Sequence, residues 1–140
     1  MKDNQVLRVV AKIMIPVILL FAFYVQFHGD YGPGGGFQAG VIFAAGPILY
    51  GLIFGVERLQ SVFTIVSLKI LIAAGLLLFA GVGFATVFLG GDYLDYDQLN
   101  RDPILGQHLG ILLVELGVGI TVAAVMITIF IAFAGRQNHR

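Results

Sequence analysis

Apolar residues fall into four long runs, separated by short polar or glycine-rich segments. A bilayer core of about 30 Å is crossed by roughly 20 apolar residues in a helix. Residues 9–27, 37–56, 64–89 and 109–134 all reach or approach that length. Lys12 lies near the start of the first run, and Gln38 and Tyr50 are the polar side chains of the second. The third carries Lys69 and then no charge over residues 70–91; the fourth carries a single charge, Glu115. Lipid offers the backbone no hydrogen-bond partner, so each run must be helical. The pattern predicts an all-α integral membrane protein with four transmembrane helices.

Composition agrees. Of 140 residues, 59% are hydrophobic and 11% charged, whereas soluble domains carry about a quarter charged residues. So few charges cannot cover a water-facing surface, and the lipid bilayer is the expected solvent. The chain has no cysteine, which excludes disulfides and thiolate metal sites. Its net charge is zero, which gives no basic patch for nucleic acid. The first run is long and no small-residue cleavage site follows it, so it reads as a retained helix rather than a secretory leader. Short connections and no internal repeat make residues 1–140 a single membrane domain, expected as one bundle.

Lysine and arginine set the expected direction. With the N-terminus inside, the inner segments hold Lys2, Arg8, Lys12, Arg58, Lys69, Arg136 and Arg140, against Arg101 alone outside. Both termini are therefore expected in the cytoplasm. The outer segment "GGDYLDYDQLNRDPILGQ" is acidic and reads as a solvated loop with turn chemistry at Asp102–Pro103.

The first outer connection is "HGDYGPGGGFQAG", residues 28–40. Pro33 removes an amide donor and fixes φ. Gly34, Gly35 and Gly36 each cost about 1 kcal/mol against alanine in a helix. Helix is not expected before Phe37, and residues 29–36 should be irregular, tolerated near lipid only if protein buries them or they line a wet cavity. The segment could be a tight hairpin at the headgroup level, a source of carbonyl ligands for a cation, or a packing element. Gly36, Gly40 and Ala44 form a small-residue face that lets another chain's helix approach closely, so the packing reading is preferred. A nucleotide loop is excluded, because no Lys-Ser/Thr follows the glycines and no strand precedes them.

The ordered stretch His28–Gly29, then Pro33-Gly34-Gly35-Gly36-Phe37-Gln38-Ala39-Gly40 and an apolar continuation, resembles the signature of the B subunit of the Mrp (also Mnh) multisubunit sodium/proton antiporters. Length and helix count fit, so the resemblance spans the chain as one MnhB-like domain. It implies an integral cell-membrane subunit of a large hetero-oligomer that exchanges Na+ for H+. The partners would be other membrane subunits, with no cofactor beyond the transported ions. The same domain resembles membrane-arm subunits of hydrogenases related to respiratory complex I.

Ionisable groups inside a membrane are costly and point to function. Glu115, about six residues into the fourth run, is expected roughly 10 Å deep and is the candidate for an ion or proton relay. Lys69 should be about as deep from the other side, too far from Glu115 to pair, with snorkelling as the plain alternative. His28 and His108 fall at the outer ends of runs, where histidine titrates near neutral pH or simply anchors. Glu57 and Arg58 would close the second span, and Pro16 and Pro47 should bend their helices. Further glycines at 75, 83, 106, 110 and 119 exceed the needs of one bundle and suggest embedding among other helices. Candidate path or assembly residues are thus His28, Pro33, Gly34, Gly35, Gly36, Phe37, Gln38, Lys69 and Glu115. No nucleophile–base pair, metal cluster or cofactor motif suggests an enzyme. A small homodimeric four-helix transporter is the alternative of a different class, although such exporters carry their carboxylate in the first span.

Overall fold

The computed structural model describes residues 4–29 and 31–135. Asp30, and the Lys2, Arg136 and Arg140 that enter the charge asymmetry, lie outside the described residues. Five helices form: α1 (Gln5–His28), α2 (Gly36–Phe54), α3 (Val56–Val62), α4 (Ile65–Phe88) and α5 (Pro103–Gly135). All but α3 are long and apolar enough to cross a membrane.

Local chemistry sets most of the ends. Asn4 caps α1, its Oδ1 accepting from the amides of Val6 and Leu7 at 3.1 and 3.4 Å. Thr64 caps α4 through the Ser67 amide at 3.1 Å. Asp102 accepts from the Ile104 amide at 3.0 Å, with Pro103 in the first turn where its missing N–H costs nothing. The expected turn at Asp102–Pro103 is therefore the start of α5, which begins six residues before position 109. Gly55, at φ 108°, stops α2 at Phe54. Glu57 and Arg58 thus do not close the second span as expected; they are exposed on α3, which buries Leu59 against the core. α1 and α2 continue through Pro16 and Pro47.

The long helices pack in a row. α1 packs on α2, α2 on α5, and α5 on α4. Glycines set the register. A β-carbon at Gly36 would overlap the Glu115 carbonyl, one at Gly40 would lie 2.7 Å from the Gly119 oxygen, and one at Gly51 would lie 2.7 Å from the Phe130 ring. The partners are 79 residues apart each time, so α2 and α5 run parallel and in register. α4 is antiparallel to α5, with Gly75 against Gly117 and Thr121. Ala44, Leu59, Leu68, Ala124, Ile127 and Ile131 fill the core toward the end that holds residues 4 and 135. The face Gly36–Gly40–Ala44, expected to receive another chain's helix, is used within this chain. α5 offers a matching small residue, Gly119, and backbone meets backbone. The other glycines are similarly spent: Gly83 lies under the Tyr93 ring and Gly110 under the Tyr96 ring.

The segment between α4 and α5 is more ordered than a solvated loop. It contains a 3-10 turn, Tyr96–Leu99, folded onto α5. Its anchor is Thr86, fully buried, whose Oγ1 lies 2.8 Å from the Gly83 oxygen and 3.0 Å from the Asp92 oxygen, and accepts from the Leu94 amide at 3.0 Å. Burial, and secondarily Tyr93, raise the Tyr96 phenol above its usual pKa of 10. Thr86→Val keeps the shape but strands the Leu94 N–H, a loss of about 1–3 kcal/mol. Hydrogen exchange at Leu94 is expected to quicken tenfold or more; exchange at the wild-type rate would show that Thr86 does not hold the loop.

Candidate functional site

The glycine-rich connection closes on Glu115. α1 ends at His28, whose carbonyl accepts from the amides of Tyr31 and Gly32 at 3.0 and 3.2 Å. The His28 ring stacks on Tyr24 with centroids 5.3 Å apart, and lies against Gly32. The chain then folds so tightly that a β-carbon at Gly29 would lie 2.8 Å from Gly35 Cα, and one at Gly34 3.0 Å from the Val25 oxygen. Gly35 adopts φ 132°, a conformation for which glycine is suited, and α2 starts at Gly36, one residue before the expected Phe37.

Glu115 fills the notch so made. A β-carbon at Gly29 would sit 2.8 Å from its Oε2, and one at Gly35 3.0 Å from its Oε1. No other residue type leaves the carboxylate this room. The first turn of α2 begins at the same place, and the unpaired amides of a helix N-terminus carry about half a positive charge. Glycine backbone, helix dipole and carboxylate therefore meet at one point.

The depth of this notch follows from helix register. With Gly75 at Gly117–Thr121, the end of α4 at Phe88 stands level with about residue 108, seven residues or about 10 Å beyond Glu115. The glycine segment thus stops about 10 Å short of the end of α4.

The remaining candidates are dispersed. Gly34, Gly35 and Gly36 share the notch, whereas Pro33, Phe37 and Gln38 are exposed around it. Lys69 is exposed near the far end of α4. It stands level with residue 127, about 18 Å from Glu115 along the helix axis, a larger gap than the 10 Å expected. His108, one turn and a half into α5, stacks on Tyr31 with centroids 6.1 Å apart.

One residue had no place in the sequence reading. Gln26 is 6% exposed, and its Nε2 has no hydrogen-bond partner among the described residues. Its Oε1 lies against Gly119, one turn along α5 from Glu115. The available signal was a lone amide inside the first apolar run. Gln26 lines a half-open groove of about 320 Å³ between α1 and α4, floored by α2 and α5 and walled by Phe23, Phe43, Phe63, Leu71 and Ile120.

Comparison with known proteins bears on the whole chain. Residues 6–128 match the family described as "Domain related to MnhB subunit of Na+/H+ antiporter". Three similar proteins, from Staphylococcus aureus strains Newman, JH1 and COL, bear the provisional name antiporter subunit mnhB2. Each is 38% identical over 142 residues, covering 99% of this chain and 100% of the relative. With a matching family description over most of its length, four helices able to cross a membrane, and relatives aligned end to end, this chain belongs to the family of MnhB-related antiporter subunits.

Proposed function

We propose that, as a subunit of a multisubunit Na+/H+ antiporter in the cell membrane, this chain serves both assembly and the ion path, with Glu115 as the group on that path. The observation that carries this reading is the Glu115 carboxylate set in the Gly29–Gly35 notch at the start of α2. A carboxylate at that depth is by default a functional group, and Na+ and H+ are the ions a carboxylate binds. His28 and His108 flank the notch, and the exposed Pro33, Phe37 and Gln38 are the surface offered to neighbouring subunits. Lys69, exposed near the opposite end, snorkels. The chain is not itself an enzyme and needs no cofactor beyond the exchanged ions.

The decisive experiment isolates the complex from native membranes in mild detergent and measures its composition and its exchange activity in vesicles. Several larger hydrophobic subunits, and Na+-driven proton flux that disappears when this chain is deleted, are expected. Redox subunits in the same particle would place the chain in a hydrogenase-type membrane arm, and a pure homo-oligomer would reject both settings.

The charge asymmetry supports an orientation with both ends in the cytoplasm. The chain lacks cysteine, so Tyr31→Cys provides a unique thiol within it, at a residue that is 78% exposed. Impermeant maleimide is expected to label it from outside intact cells; labelling only after permeabilisation would invert the topology.

A further inference from the structure

We propose that Arg8, Lys12 and Arg58 form the headgroup site of an anionic phospholipid, one acyl chain of which lies in the apolar groove beside them. The proposal goes beyond the subunit reading above and needs only that the four long helices cross a membrane. The three cations come from α1 and α3, yet they line one pocket of about 340 Å³ together with Tyr50 and Phe54. The Arg8 guanidinium lies over the Phe54 ring, 5.4 Å from its centroid. Among the described residues, none of the three makes an ion pair. Glu57 borders an adjoining cavity with Arg8 and Arg58, but not the pocket that contains Lys12. The positive-inside bias accounts for the number of cations at this end, not for their convergence. Side chains that only follow that bias would spread into water, because like charges in one pocket repel. A phosphate seated among them relieves the repulsion, and arginine forks with a lysine are the donors that phosphate takes.

Depth selects a lipid phosphate. Gly46 packs against Ile15 and Leu19, and Gly51 against Phe130. Lys12 is therefore level with about residue 51 of α2 and residue 130 of α5. Because Gly75 meets Gly117 and Thr121, Ile65, where α4 begins, is level with about residue 130 as well. The cations thus stand at the end of the apolar spans, where the hydrocarbon gives way to the headgroups. Basic pockets between helices at that level are suited to anionic headgroups.

Shape selects a lipid over a soluble phosphate. Ile15 and Tyr50 of the basic pocket also line an apolar cavity of about 300 Å³, whose walls include Leu19, Phe43 and Phe63. Phe43 and Phe63 in turn line the groove of about 320 Å³ between α1 and α4, which reaches Phe23. The three spaces therefore adjoin in a row, basic at one end and apolar beyond it. From Lys12 to Phe23 is 11 residues of α1, about 16 Å, against about 15 Å for half the hydrocarbon core. An acyl chain anchored at the cations fills that length. A soluble phosphate would leave the groove unused, and a helix of another subunit would have to bring its own acid to the cations.

The test reconstitutes the assembled complex in phosphatidylcholine vesicles that contain, as a minor component, phosphatidylglycerol with a diazirine on one acyl chain. Irradiation is expected to attach this lipid to peptides that contain Leu19, Phe43 or Phe63. The same diazirine on phosphatidylcholine should label them about fivefold less or weaker still. Arg8→Gln, Lys12→Gln and Arg58→Gln combined should lower attachment of the phosphatidylglycerol at least tenfold, at about fivefold for each charge near an anionic headgroup. Arg8→Lys with Arg58→Lys should retain most of it, and Lys69→Gln, which removes a charge from α4 near the same end, should leave it unchanged. Should the triple variant fail to assemble, the two lipids on the unaltered complex decide alone. Equal attachment of the two lipids, attachment that survives the triple substitution, or displacement by inorganic phosphate at constant ionic strength would overturn the site. So would an intact complex that takes no label in the groove, the result expected if a helix of another subunit covers it. None of these results touches the subunit reading, which the composition of the particle decides.

Discussion

Gly36→Ala is expected to reduce the chain recovered in membranes, and its co-purifying partners, at least tenfold. The added β-carbon would overlap the main-chain carbonyl of Glu115. A clash with a flexible side-chain tip relaxes by a rotamer change, but here both sides are helix backbone. Relief requires α2 and α5 to separate, and these two parallel helices are the spine of the row. Overpacking of this type costs about 3 kcal/mol, a large part of a stability of about 5–15 kcal/mol. Gly81→Ala is the matched control: nothing lies within 4 Å of its β-carbon position. It should be neutral or slightly stabilising, since alanine is the better helix former. Quantitative blotting of membranes and thermal unfolding in detergent both read the contrast. Equal amounts of the two variants would mean that the α2–α5 contact is looser than the geometry requires.

Glu115→Gln is expected to leave assembly at the wild-type level while lowering Na+-driven proton flux at least tenfold. The amide matches the carboxylate in shape, so the notch formed by Gly29 and Gly35 stays filled. What is lost is the capacity to carry a negative charge opposite the start of α2. A purely structural side chain would tolerate that change. Flux should be measured in vesicles with equal complex content, because loss of assembly would mimic loss of transport. Unchanged flux would reduce Glu115 to a packing residue for the glycine segment. Glu115→Ala should separate the roles further, by also emptying the notch and weakening the fold.

Much of this architecture was legible in the residues. Four runs near 20 apolar residues leave no soluble alternative, since hydrocarbon tolerates only internally bonded backbone. Residues 29–36 were expected to be irregular: Pro33, Gly34 and Gly35 do lie outside helix, but Gly36 already belongs to α2, one residue earlier than expected. Ends were less legible. The second run ends at Phe54 because Gly55 takes a positive φ, and residues 103–108 join α5 because Asp102 caps it. Hydropathy weighs average polarity and is blind to both devices.

The sequence by itself determined the four helices apolar enough to cross a membrane, the family signature and Glu115 as the one carboxylate of the fourth run. These depend on local quantities: run length, residue type and spacing. The tertiary structure alone decided what those residues touch. It turned the Gly36–Gly40–Ala44 face onto the chain's own α5 rather than onto a partner, and it set Glu115 into the glycine notch. It also buried the Gln26 amide against Gly119, its Nε2 without an acceptor among the described residues. Each is a contact between positions tens of residues apart, and small-residue faces fit several partners equally well, so helix register had to select among them.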